Sequence, residues 1–287
     1  MKIHIRRWTN VSGTNISAFA LLAALSFFNI SKATAQIPDK TVVLTFDDAV
    51  KTQLVNVAPL LQQLGFKATF FITHNWMDDK ANFMTWEDAA KLNSMGFEIG
   101  NHTWTHSGFE SPEKAATLAA ELDQVDRELA RVGIPKPVSF AWPGDNFGPE
   151  AIAVLQLHGI KFARRGMQPE VAYGEIKVGP ALDVTKYSPL LIPTTGDSYP
   201  GWTLEHFKQV VAQARNGKIA VLQFHGVPDV AHPWVNTPPE LFRACMMYLK
   251  ENGYRTIELR DLAAYYDEAH LPDDPMLKQR IVAIRHK

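Results

Sequence analysis

Strand-like and helix-like segments alternate along most of this chain, and nearly every helical stretch runs into a glycine. Apolar runs rich in β-branched and aromatic residues stand at 41–46 (TVVLTF), 67–73 (KATFFIT), 97–101 (FEIGN), 137–141 (PVSFA), 160–164 (IKFAR) and 219–224 (IAVLQF), with a weaker one at 255–258. Helical patterns fill the intervals at 53–65, 85–95, 112–132, 149–158, 203–216 and 239–252, closed by Gly65, Gly96, Gly133, Gly159, Gly217 and Gly253. Glycine stops a helix because it takes the left-handed conformation just past the last turn without a steric penalty. Alternation at this spacing calls for an α/β fold with a parallel sheet, and six or seven units favour closure into a barrel over an open sheet. The span 165–201, rich in Pro and Gly, reads as an irregular excursion.

In such folds chemistry collects at the carboxyl ends of the strands. The polar residues of interest fall there. Asp47 and Asp48 end the first strand, His74 follows the second and His102 the third; Pro143-Gly144-Asp145 follows the fourth, Arg164-Arg165 ends the fifth, and His225 follows the sixth. Adjacent residues on a continuing strand point to opposite faces, so Asp47 and Asp48 could not share one pocket by strand geometry alone. In 101-NHTWTH-106 the two histidines are four apart, and a helical turn would put both imidazoles on one face. Two histidines and one carboxylate from the neighbouring strand end suit a divalent metal and leave coordination positions open, as a catalytic site requires.

Such a set suits hydrolysis. Zinc lowers the pKa of bound water from 15.7 to about 7 and polarises a carbonyl, so an aspartate beside that water can assist attack. A separate group must protonate the leaving nitrogen, and His225 in 222-LQFHGV-227 is carried to the same rim.

These residues resemble the motifs of the polysaccharide deacetylases with a NodB-homology domain, the fourth carbohydrate esterase family, over roughly residues 40–265. The resemblance implies a distorted (β/α)7 barrel and exported or cell-surface metal-dependent removal of acetyl groups from chitin, peptidoglycan or xylan. The family's Thr-Phe-Asp-Asp-Gly matches 45-TFDDA-49 except at Ala49, and implies Asp47 as general base and Asp48 as metal ligand. Its His-Ser/Thr-x-x-His matches 102-HTWTH-106, implying His102 and His106 as the other ligands. The metal implied is Zn2+, with Co2+ or Ni2+ as alternatives. The later motifs depart from the pattern. In 140-FAWPGD-145 Ala141 stands where the family has an arginine that orients the base, and Arg164 or Arg165 is the expected substitute. Gly144 falls at the oxyanion-hole donor. The Asp/Trp patch of the fourth motif has no assigned counterpart, and after His225 the family's aspartate is Gly226, with Asp229 and Asp261 as candidate replacements.

The substrate implied is an acetylated glycan, N-acetyl ahead of O-acetyl. Hydrolysis of small amides on the same barrel, and a glycan-binding protein without turnover, are the rival readings; the five residues Asp47, Asp48, His102, His106 and His225 speak against the last. Residues 1–35 read as a signal peptide, with Lys2, Arg6 and Arg7 before the apolar 16–30 and an Ala-x-Ala site ending at Ala35; residues 36–287 then form a single domain, periplasmic or extracellular, without a stable membrane span. Without the leader's four basic residues, 25 of the 29 remain against 30 acidic ones, a net −5 that argues against a nucleic-acid partner. Cys245 is the only cysteine, so no internal disulfide can form.

Several residues have a plainer reading. His158, His206 and His270 read as surface or packing residues. His74 and His232 lie near rim loops and stand open between packing and substrate contact. For Trp104, Trp142 and Trp234, stacking on sugars is weighed against packing at the barrel mouth, whereas Trp76, Trp86 and Trp202 read as packing.

Overall fold

The structure, a computed structural model, describes residues 35–283. The expected leader, apart from Ala35, lies outside that span. Eight strands form one parallel sheet: β1 (Thr41–Phe46), β2 (Thr69–Ile72), β3 (Glu98–Asn101), β4 (Ser139–Ala141), β5 (Phe162–Arg164), β6 (Gly196–Asp197), β7 (Ala220–Phe224) and β8 (Arg255–Ile257). Their hydrogen-bonded order is β5-β4-β3-β2-β1-β7-β6, with β8 on β1. The crossovers carry α1 (Ala58–Leu64), α2 (Trp86–Ser94), α3 (Pro112–Arg131), α4 (Pro149–His158), α5 (Leu204–Val211) and α6 (Pro239–Glu251).

The excursion expected at 165–201 holds the strand that the sequence hides. Ile192 exchanges backbone hydrogen bonds with Ala163 and Arg165 beside β5, and Thr195 donates to Val221 of β7. The segment 192–197 therefore bridges the two sheet edges as a seventh stave. It contains two threonines, a proline and a glycine, so neither periodicity nor β-propensity marks it. The lower half of β1 (Thr41–Val43) pairs with β8, whereas Thr45 and Phe46 pair with β2. One edge of β1 thus serves two strands, and this is the distortion of the (β/α)7 barrel.

Side chains alternate along each strand. Val42, Leu44 and Phe46 of β1, Phe70 and Ile72 of β2, and Leu222 and Phe224 of β7 face the helices, where they pack with Leu61, Val210, Phe242 and Met246. The other parity faces the barrel interior. There Glu98, 2% exposed, accepts from Thr69 Oγ1 and Ser139 Oγ, both at 2.6 Å, and from the Arg260 N–H at 3.1 Å. One layer up, Phe71 fills the space beside Gly100, where any Cβ would stand 2.5 Å from the Phe71 ring. A buried phenylalanine of this kind contributes about 2–3 kcal/mol. Gly100→Ala would push it out. The next positions of this parity are Asp47, His102 and His225.

Candidate active site

Asp47 continues the interior parity of β1 through Val43 and Thr45. Asp48 reaches the same pocket by a different route. The strand ends at Phe46, and Asp48 turns left-handed (φ 72°), followed by Ala49 (φ 55°). The opposition expected of neighbouring strand residues therefore does not apply, and both carboxylates line one cavity of about 100 Å³ with His102, His106, Trp142, Gly144, Asp145, His225 and His232. A larger surface cavity of about 300 Å³, between Ile160, Pro189, Tyr266 and Leu271, contains none of the candidate residues.

His102 and His106 converge without a helix. Residues 102–106 form a loop in which Thr103 (φ 66°) and His106 (φ 54°) are left-handed. Positive φ is costly for β-branched and bulky residues and is held only where neighbours over-determine it. Here the Glu121 carboxylate accepts from the N–H groups of Trp104 and Thr105, and Thr103 Oγ1 accepts from the His106 N–H. Asp48 Oδ1 then lies 3.4 Å from His102 Nε2 and 3.2 Å from His106 Nε2.

These three residues fit a metal ion. His102 Nδ1 lies 2.8 Å from the Ala141 carbonyl, which can only accept, so Nδ1 carries the proton and Nε2 presents its lone pair. Asp48 Oδ1 is buried and has no well-formed hydrogen bond among the described residues. With both rings neutral, a carboxylate oxygen and two imidazole Nε2 atoms face one another, an arrangement that a cation resolves. The three donor atoms lie within 4.8 Å of one another. The two Asp48–imidazole separations match the edge of about 3.3 Å of a tetrahedron whose metal–ligand bonds are about 2.0–2.1 Å. Burial opposes ionisation of Asp48, but His106, His102 and His232 outweigh it and hold the carboxyl well below the usual range. Burial holds His106 below its ordinary value, which favours the neutral, ligating form.

Of the two arginines expected to substitute at Ala141, Arg164 is the one that reaches Asp47. Arg164 of β5 is the register partner of Ala141 of β4. Its guanidinium is fully buried, donates from Nη2 to Asp47 Oδ2 at 2.5 Å, and also bonds Gln223 and lies over the Phe71 ring. The small Ala141 leaves room for it. Arg165 goes elsewhere, clamping Glu170 at 2.7 and 2.9 Å. Gln53, in a π-helical turn, ties Asp47 to His225 by donating to both carbonyls.

On the opposite wall His225 Nε2 lies 4.0 Å and His232 Nδ1 3.4 Å from Asp48 Oδ2. The residue after His225 is glycine for a steric reason: a Cβ at Gly226 would stand 2.7 Å from both Asp229 and Val50. Asp229 folds back to accept from the N–H groups of Gly226 and His232, fixing that loop. Asp261 lies beside Lys67, which precedes β2, and is not in the cavity. The residue that sequence reasoning missed is Asp197 of β6. It is 2% exposed, burial pushes its carboxyl up to about 7 against the pull of His225, and its Oδ1 has no hydrogen-bond partner among the described residues. Its only signal is 197-DSYPGW-202, an aspartate and tryptophan inside the supposed loop.

The aromatic residues divide differently from expectation. Trp76, expected to pack, lines the cavity with its ring 4.7 Å from His106 and 4.6 Å from His232. Trp234 also lines it and is 55% exposed, while Trp142 is buried and donates to the Leu190 carbonyl. His74 is stacked on Trp104 at 3.8 Å, away from the cavity. The Gly144 N–H is not used by the turn that holds it, whose hydrogen bonds come from Asp145 and Asn146.

Residues 34–163 match the polysaccharide deacetylase family model. A chitin deacetylase of Pestalotiopsis sp is 30% identical over 132 residues, 45% of this chain and 42% of that protein. The chain thus spans less than half the length of this curated relative. Among solved structures, a family 4 acetyl xylan esterase from Clostridium thermocellum, in complex with a cobalt ion, superposes with a TM-score of 0.53 at 22% identity, over 83% of this chain and 96% of that one. A CE4 family pseudoenzyme from Bacillus anthracis gives 0.54 at 20% identity, over 81% and 69%. At these identities the structural likeness shows the fold.

Proposed function

We propose that this chain, whose residues 34–163 match the polysaccharide deacetylase family model, is a metal-dependent hydrolase that removes N-acetyl groups from a glycan and releases acetate. The observation that carries this reading is the convergence on Asp48 Oδ1 of two imidazole Nε2 atoms, one with its tautomer set by the Ala141 carbonyl. Asp48, His102 and His106 would hold the ion, and their mixed nitrogen and oxygen donors suit zinc. Bound there, the ion would lower the pKa of a water and polarise the acyl oxygen.

The remaining steps belong to this chain's own groups. Asp47, held by the Arg164 hydrogen bond, takes the proton of the attacking water. The N–H of Gly144, which lines the cavity, donates to the developing oxyanion, a kind of contact worth about 3–4 kcal/mol. His225 gives a proton to the leaving nitrogen. Trp76 and Trp234 offer faces to a sugar ring.

Export also belongs to this proposal, supported by the basic start, apolar core and Ala-x-Ala site of residues 1–35. Amino-terminal sequencing of the mature protein should begin at Gln36. The activity is tested by acetate release from N-acetylglucosamine oligomers, peptidoglycan, acetylated xylan and small amides, with zinc supplied and then chelated. Zinc-dependent acetate from an N-acetylated glycan is the expected result. Release from xylan alone would reassign the enzyme to esters, and no acetate from any glycan would remove the reading.

A further inference from the structure

Asp145 is a carboxylate that the fold does not need. It lines the cavity with Asp47, Asp48, Gly144 and His225, yet it is only 5% exposed and its backbone is left-handed at φ 62°. Its side chain lies over Gly166, where a Cβ would stand 1.9 Å from Oδ2, so the chain keeps a glycine there to make room. No described residue donates a hydrogen bond to its carboxylate. The two nearby guanidinium groups act on it only through space, as their hydrogen bonds go elsewhere, those of Arg164 to Asp47 and Gln223, and those of Arg165 to Glu170 and the Gln168 carbonyl.

Three unfavourable features are therefore held together at one position: positive φ on a residue with a side chain, burial of a carboxylate without a hydrogen-bond donor, and an obligatory glycine opposite. None stabilises the folded chain. All three keep an acceptor in the cavity wall, one residue on from Gly144 and hence near the acyl group in the proposed pose. The groups of a glycan that meet an acceptor there are the hydroxyls of the sugar bearing the acetyl group. A sugar carrying its own carboxylate would bring like charges together at low dielectric.

We propose that Asp145 is a specificity-determining residue that accepts hydrogen bonds from the hydroxyls of the acetylated sugar and excludes sugars carrying a carboxylate, so that the substrate is an uncharged N-acetylated glycan. This rests on the glycan reading above.

The test is calorimetric binding to zinc-loaded protein in a D47N background, which holds substrate without turnover. The ligands are a β-1,4-linked N-acetylglucosamine tetramer and a tetramer alternating N-acetylglucosamine with N-acetylmuramic acid. The D47N protein should prefer the neutral tetramer by about tenfold or more. Adding D145N or D145G should weaken neutral binding by about tenfold, the scale of a charged hydrogen bond, and bring the preference below about threefold. Thermal midpoints should hold or rise, because Asn and Gly tolerate positive φ and the buried charge is gone. An unchanged preference in both variants, or falling midpoints with both tetramers weakened alike, would overturn the inference. If D47N binds neither tetramer and the wild type releases no acetate from any glycan, the glycan reading fails and takes this inference with it. Acetate release with selectivity unaffected at position 145 removes the inference alone.

Discussion

Glu98, deep in the barrel interior, and the aspartates at its carboxyl end are both buried, and the fold treats them in opposite ways. Glu98 accepts from Thr69, Ser139 and the Arg260 N–H. At the carboxyl end Asp47, Asp48 and Asp197 each keep a buried oxygen without a hydrogen-bond partner among the described residues, and Asp145 lines the cavity. A carboxylate satisfied from within the fold holds the fold together. One left short of partners is available to something that arrives. The difference also separates the two aspartates of the opening strand, since Arg164 takes one oxygen of Asp47 whereas imidazoles crowd both oxygens of Asp48.

Substitutions at the two places should therefore fail differently. The largest contrast is in turnover: Asp47→Asn should lower kcat by about 10²–10⁴-fold, whereas Glu98→Ala, assayed well below its melting temperature, should stay within about threefold of wild type. Equal losses would erase the distinction between them. Next comes the arginine that reaches Asp47. Arg164→Ala should reduce kcat/KM by about 10²-fold through misplacement of Asp47, and adding Ala141→Arg should recover part of that loss. A double variant no better than the single one would count against an exchange between register partners.

Stability should show the contrast with its sign reversed. Glu98→Ala strands the Thr69 and Ser139 hydroxyls and should cost about 3 kcal/mol in denaturant unfolding. Asp197→Asn should stabilise the metal-free protein instead. The Asp197 carboxyl titrates near 7 in the folded chain against an ordinary 3.8. Below about pH 4 both states hold the proton and the group contributes nothing. Between pH 4 and 7 only the unfolded chain releases it, so the penalty on folding grows as pH rises and is complete above 7. The gain in melting temperature from Asp197→Asn should be larger at pH 8 than at pH 5; a pH-independent gain would contradict the burial of an ionisable group there. The smallest effect is expected at Trp234, whose exposed ring should raise KM only about three- to fivefold when replaced by alanine, with kcat kept.

Much of this division was legible in the sequence, and what was not has physical reasons. Asp47, His102 and His225 follow strand parity, so a reading by alternation finds them. Asp48 and His106 reach the site through left-handed backbone: alternation turns Asp48 away, so only the motif identifies it, whereas the four-residue spacing pairs His106 with His102 correctly although a loop stands in place of the helical turn. Arg164 was one of two candidates, and what separated it from Arg165 is the register of β5 against β4, which a single sequence does not carry. Asp197 stayed hidden because β6 is two residues long and its partner contacts come from irregular chain. Trp76 looked like a packing residue because its place in the wall depends on loops folding over it from three strand ends.

The most direct measurement is a zinc titration of the metal-stripped wild type, Asp47→Asn and Asp48→Asn proteins by calorimetry. Wild type and Asp47→Asn should each bind one equivalent with similar affinity, and Asp48→Asn should bind at least about 100-fold more weakly. One equivalent bound equally well by both variants, or none bound by the wild type, would contradict a metal site built on Asp48, His102 and His106.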